Sequence, residues 1–253
     1  MITDLQKASF TKRIAAMLLD FILLCVLVSG SATLLANLSG YGDHLETSTQ
    51  VRRQYETQYG VEFQITQEQY DGFTQAQRDN YDAAYQALIR DEAFLQSYNM
   101  LVSLTLLITT FSLLLAVLVT EFIIPLFLKN GQTVGKKVFG IGVIRTDGVQ
   151  VSKLQLFTRA VLGKFTIELM IPVYILIMIF LNTAGIISLA VLAGIALAQI
   201  ICIAATRTNS PIHDLMAGTV AVDLNSQMVF RSKEDLLAYT KKIHAERANR
   251  SDY

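Results

Sequence analysis

The chain has little charge, little proline and almost no cysteine. Only 17% of its 253 residues are charged and three are proline, whereas 52% are hydrophobic and the mean hydropathy is +0.42. Ordinary soluble domains carry more charge and less apolar side chain than this. Lysines and arginines number 21 and so do the acids, so the net charge is zero and no global field recommends nucleic acid or an acidic partner. Both cysteines, Cys25 and Cys202, fall in apolar runs without a nearby histidine. That excludes a disulfide framework and a thiolate metal site, and leaves them as small hydrophobes packed among helices. HExxH, GxSxG and calcium-loop spacings are absent, and His44, His213 and His244 are scattered. Neither an enzyme nor a bound cofactor or metal is expected.

What the chain does have is long apolar runs with a few acids inside them. From Ile14 to Ala36 the sole charge is Asp20. A helix of that length rises about 34 Å, enough to cross a hydrocarbon core of about 30 Å. Lys7, Lys12 and Arg13 precede the run as in a signal peptide, but it is too long and Asp20 interrupts it, so a retained span is expected. A carboxylate at that depth must be neutral, paired or wet. Arg13 stands two helical turns earlier on nearly the same face, which should therefore point at other helices. Residues 100–128 form a second span, with Glu121 and Pro125 near its end. Glu121 reads as an interfacial carboxylate bonded to a neighbouring helix end. Leu169 to Thr206 is 38 residues without a charge, about 57 Å as one helix. It must fold back, and Asn182–Gly185 is the best turn, within residues 165–206. Glu168 opens the third span, with Lys164 and Arg159 just before it. All three are expected at the inner boundary, facing the same cluster as Asp20.

Between the first two spans lies an insertion, residues 37–99, with ten acids, four bases and seven of the ten tyrosines. Val51, Tyr55 and Tyr59 recur at helical spacing, and Thr66 with Gln69 and Thr74 with Gln77 fit capping boxes, so two or three amphipathic helices are expected. Its acids, among them Asp79, Asp82, Asp91 and Glu92, read as solvated helix faces. Residues 129–164 carry seven bases and one acid. There VFGIGVIRTDGVQV alternates around Asp147-Gly148, the signal of a β-hairpin. The preceding GQTVGKK has the wrong spacing for a phosphate loop and should lead into strand, which excludes nucleotide binding. In residues 207–253, Ser210 and Pro211 should start a short helix holding His213 and Asp214 and closed by Gly218. A strand from Thr219 to Leu224 that can pair with the hairpin and an amphipathic helix from Ser232 follow.

Bases number three before the first span, four in the insertion, seven between the second and third spans and seven after the fourth. All but the insertion therefore belong on the cytoplasmic side. The expected fold is an all-α polytopic protein of the plasma membrane with four spans, a helical extracytoplasmic insertion, a small cytoplasmic sheet and both termini inside.

Arg13 and Asp20 in residues 8–36, GQTVGKKVFGIGVIRTDG after the second span and HDLMAGTVAV after the fourth together resemble the RDD family of bacterial membrane proteins. The family is named for an arginine and two aspartates, which match Arg13, Asp20 and Asp214. The resemblance implies either transport, as in relatives similar to sodium/proton antiporters, or an accessory place in a membrane complex. In the first case Asp20, with Glu121 or Glu168, binds a proton or sodium ion, and Arg13 competes for the same carboxylate. In the second, Arg13 clamps the Asp214 helix to the first span and Asp20 accepts hydrogen bonds from GQTVGKK. Glu121, Arg159, Lys164 and Glu168 complete the candidate cluster. The lipid bilayer and a second copy or complex partner are the expected partners.

Overall fold

The computed structural model describes residues 5–181 and 183–251. In chain order, α1 (Phe10–Leu38) is followed by α2 (Tyr41–Tyr59), α3 (Gln67–Asp71), α4 (Gln75–Leu88) and α5 (Glu92–Phe127). Then come α6 (Val134–Val138), β1 (Ile141–Arg145), α7 (Lys153–Phe180), α8 (Ile186–Ala205), α9 (Ile212–Ala217), β2 (Thr219–Asp223) and α10 (Lys233–Ser251). Helices α1, α5, α7 and α8 are long and apolar enough to cross a bilayer, and the protein is an all-α polytopic membrane protein with one small sheet. Side chains such as Phe21, Ile22 and Val26 are exposed, as lipid-facing groups are. Cys25 is exposed too rather than packed between helices. The expected turn between the last two spans begins at Asn182, outside the described residues; Gly185 caps α8 in an extended conformation.

The chain divides into two compact units, residues 29–112 and the remainder. In the first, Thr66 and Thr74 form reciprocal capping boxes with Gln69 and Gln77. Ala84 and Leu88 of α4 are buried, and Tyr81 stacks edge-on against Phe63, Tyr70 and Phe73. The acids there are engaged locally: Asp82 accepts from the Tyr70 hydroxyl and Asp91 from Tyr55.

In the second unit β1 pairs antiparallel with β2, Ile141 opposite Asp223 and Arg145 opposite Thr219. The N-terminal segment runs along the free edge of β2, with Asp223 N–H donating to Gln6 and Ala8 N–H to Ala221. Ile144, Val220 and Val222 pack on one side of the pair, and Ile141 and Ala221 with Ala8 and Ala16 on the other. Both strands are buried along almost their whole length.

Three local expectations need correction. The hairpin is only half made: beyond the Asp147-Gly148 turn the return arm keeps one bridge, Ile144 to Gln150, because Gly148 and Gln150 bond Phe230 instead. GQTVGKK leads into helix α6, capped by the Thr133 hydroxyl, and not directly into strand. The third membrane helix starts at Lys153, capped by Ser152, so Arg159 and Lys164 are helical residues rather than loop residues.

Within α5 and α7 the stretches Leu118–Ile123 and Thr158–Met170 are π-helical. Each is followed by a proline, Pro125 or Pro172. A proline cannot bond the carbonyl four residues back and clashes with it. Those carbonyls belong to Glu121 and Glu168, and the widened turn that relieves the clash is where each acid sits.

Gly135 of α6 touches α1 so closely that a Cβ there would collide with the Ala16 carbonyl and the Asp20 carboxyl. Gly135→Ala is expected to lower stability in detergent by about 1–3 kcal/mol through overpacking. Gly194→Ala, where nothing lies within 4 Å, is the matched control in the same thermal-unfolding measurement and should change little.

Candidate functional site

Arg159 is the centre of the charged cluster and is 2% exposed. Its Nε donates to Asp214 Oδ1 at 2.7 Å and its Nη1 to Glu121 Oε2 at 2.8 Å. Its Nη2 lies 3.0 Å from His213 Nε2. A guanidinium only donates, so His213 Nε2 must accept and the ring proton must sit on Nδ1. From there it is directed at Glu168, 2.8 Å away. Glu168 also accepts from the His213 backbone N–H and from Gln199 of α8, and Gln199 in turn accepts from Ile212 N–H. Glu121, 1% exposed, takes a second cation, Lys164, and has Lys136 of α6 at 3.7 Å. Asp214 accepts in addition from the Thr219 hydroxyl. One network thus links α5, α7, α8, α9 and β2. The close seat of α9 on α7 requires Gly163, where a Cβ would lie 2.6 Å from His213 Cα.

Asp20 belongs to a neighbouring part of the site. Its carboxylate accepts from the Thr133 hydroxyl at 2.5 Å and from Gly135 N–H at 2.7 Å, which is the bonding expected of GQTVGKK. Lys136 Nζ reaches the same Thr133 hydroxyl and so bridges the two parts. Arg13 neither competes for Asp20 nor clamps Asp214. Its guanidinium donates to the Asn209 and Ala221 carbonyls at 2.8 and 2.7 Å, and the Ala221 carbonyl accepts from Ala8 N–H as well. Ser210 bonds Thr208 instead of capping α9, and Pro211 takes the cap position. Asp20, Arg13, Lys136, Arg159, Lys164, Glu168 and Asp214 all line one cavity of about 570 Å³, and Glu121 lies behind it.

Outside the spans the charges are strongly biased. Burial alone would raise the Asp214 carboxyl, but the Arg159 guanidinium beside it holds it well below the ordinary carboxylate range. Burial, and then Arg159, lower His213 and keep it neutral. Burial pushes the Lys136 ammonium down to about 8, against the pull of Glu121.

The RDD family model matches residues 7–218. The chain belongs to the RDD family. It is also similar to a protein of Bacillus subtilis (strain 168) titled "Uncharacterized protein YckC", 30% identical over 105 residues. That match covers 42% of this chain and 55% of the relative, so the chain spans about half of that protein's length. No solved structure matches. In this RDD protein the three residues Arg13, Asp20 and Asp214 do not touch one another: they bind, respectively, backbone carbonyls, the α6 start and Arg159.

Sequence reasoning missed His213 and Gln199 as members of the site, and reached Thr133, Gly135 and Lys136 only as parts of the GQTVGKK segment expected to bond Asp20. A readable signal was the recurrence of Glu-x-x-x-Pro at Glu121–Pro125 and Glu168–Pro172, which marks both acids as sitting at a proline-distorted turn of a span.

Two outcomes are expected of unfolding measurements in detergent. Arg159→Met leaves Asp214 buried without its charged partner and removes one of the two cations bonded to Glu121, a loss of about 3–5 kcal/mol. Arg159→Lys should not restore it, since one ammonium cannot fork to three partners. His213 has a folded pKa below its ordinary 6.5, so below that pH the unfolded chain binds a proton that the folded chain excludes. Stability should therefore fall as the pH drops below about 6.5, and less steeply in His213→Gln.

Proposed function

We propose that this RDD protein is a non-transporting accessory protein of the plasma membrane, with its termini and basic segments cytoplasmic, and that the charged network locks its spans to the cytoplasmic sheet. The observation that carries this reading is the matching of charge. Asp20, Glu121, Glu168 and Asp214 stand against Arg13, Lys136, Arg159 and Lys164, and each carboxylate accepts at least two hydrogen bonds. Such a network resists loading and release of an ion, since removing one partner strands a charge. An accessory place also suits α8, none of whose residues is buried in this chain. It leaves a whole helix face for lipid or for a complex partner, including a second copy.

Transport of a proton, a cation or a small solute is the second reading. The cavity favours it, because Asp20, Glu168 and Lys136 all reach that space. The two are separated by reconstitution in liposomes containing a pH dye. The accessory reading predicts no sodium-driven proton movement above empty liposomes, and an Asp20→Asn protein with a lowered unfolding midpoint. Flux in the wild type that disappears in a folded Asp20→Asn protein would replace it with transport.

A further inference from the structure

The cavity has two unlike walls. Phe10, Ile14 and Met17 of α1 and Ile203 and Ala204 of α8 make one of them, and all are apolar. Phe10 and Met17 are 67% and 57% exposed, so this wall is continuous with the lipid-facing surface. The other wall is ionic. Four basic side chains and three carboxylates line it, since Glu121, which balances the fourth base, does not reach the space. Counted with Glu121, which bonds Arg159 and Lys164, the network is balanced. Asp20 and Glu168 are already occupied by donors, Asp20 by Thr133 and Gly135 and Glu168 by His213 and Gln199. The lysines are not saturated. An ammonium has three donors; Lys164 spends one on Glu121 and Lys136 one on Thr133.

Apolar side chains open to lipid beside two lysines that keep spare N–H donors are complementary to an anionic amphiphile. We propose that the cavity binds the anionic headgroup of a membrane phospholipid, its phosphate received by Lys136 and Lys164 and its acyl chains leaving along Phe10, Met17 and Ala204. This goes beyond either reading of the protein's task and holds whether or not an ion is moved.

The chain has no tryptophan, so Phe10→Trp places a single reporter on the cavity wall. The purified full-length protein in detergent micelles is titrated with brominated phosphatidylglycerol or brominated phosphatidylcholine, reading quenching. Saturable quenching with about fivefold preference for phosphatidylglycerol is expected, the ratio for roughly one further charge contact. It should vanish when Lys164→Gln or Ala204→Phe is added and persist with Ile187→Phe, at the far end of α8. Ala204→Phe leaves the ionic network intact, so its result stands even if Lys164→Gln fails to fold. Equal quenching by both lipids, or binding that survives Ala204→Phe, would overturn the proposal. So would displacement by inorganic phosphate alone, which would assign the site to a free anion.

Discussion

A guanidinium cannot shed its charge, and in this protein one is buried inside a helix long and apolar enough to span a membrane. Arg159 is stable there only because Glu121 of α5 and Asp214 and His213 of α9 meet it from two other elements. The constraint runs both ways: Glu121 and Asp214 are as deeply buried as the arginine, and each accepts a charge-assisted hydrogen bond from it, Glu121 with Lys164 as a second cation. The helices bearing these groups are therefore held to one arrangement by charge as much as by packing. Apolar contact alone would do this poorly, since lipid solvates an apolar helix face as well as a neighbouring helix does.

The backbone is shaped to deliver those charges. Two prolines widen α5 and α7 at the turns that carry Glu121 and Glu168. Two glycines let short helices come close: Gly135 brings α6 against α1 so that Asp20 caps it, and Gly163 admits α9. Arg13 then ties the start of α1 to the carbonyls of Asn209 and Ala221. Through Asp20 and Arg13, segments 113 to 208 residues apart in the chain are joined, while the sheet between them supplies a dry core.

Much of this was legible in the sequence. Charge-free length gave four spans, Gly218 closed the short helix at the expected place, and the bonding of Asp20 to GQTVGKK followed from the need of a buried carboxylate for donors. The hairpin differs from expectation because alternation reports strand character and not the partner; β1 pairs with β2, and the return arm turns to Phe230 while keeping one bridge to β1. The third span starts earlier than its charge pattern implies, because Arg159 and Lys164 are helical and paired inward. His213 looked isolated because its partners, Arg159 and Glu168, are 54 and 45 positions away, and no periodicity relates them.

The central claim is that Arg159 and its acids act as one unit rather than as separate polar groups. A double-mutant cycle on Arg159→Met and Asp214→Leu, read as unfolding free energy in detergent, tests it most directly. Coupling of about 2 kcal/mol or more, with the double variant more stable than the sum of the two losses allows, is predicted. Losses that simply add would contradict it.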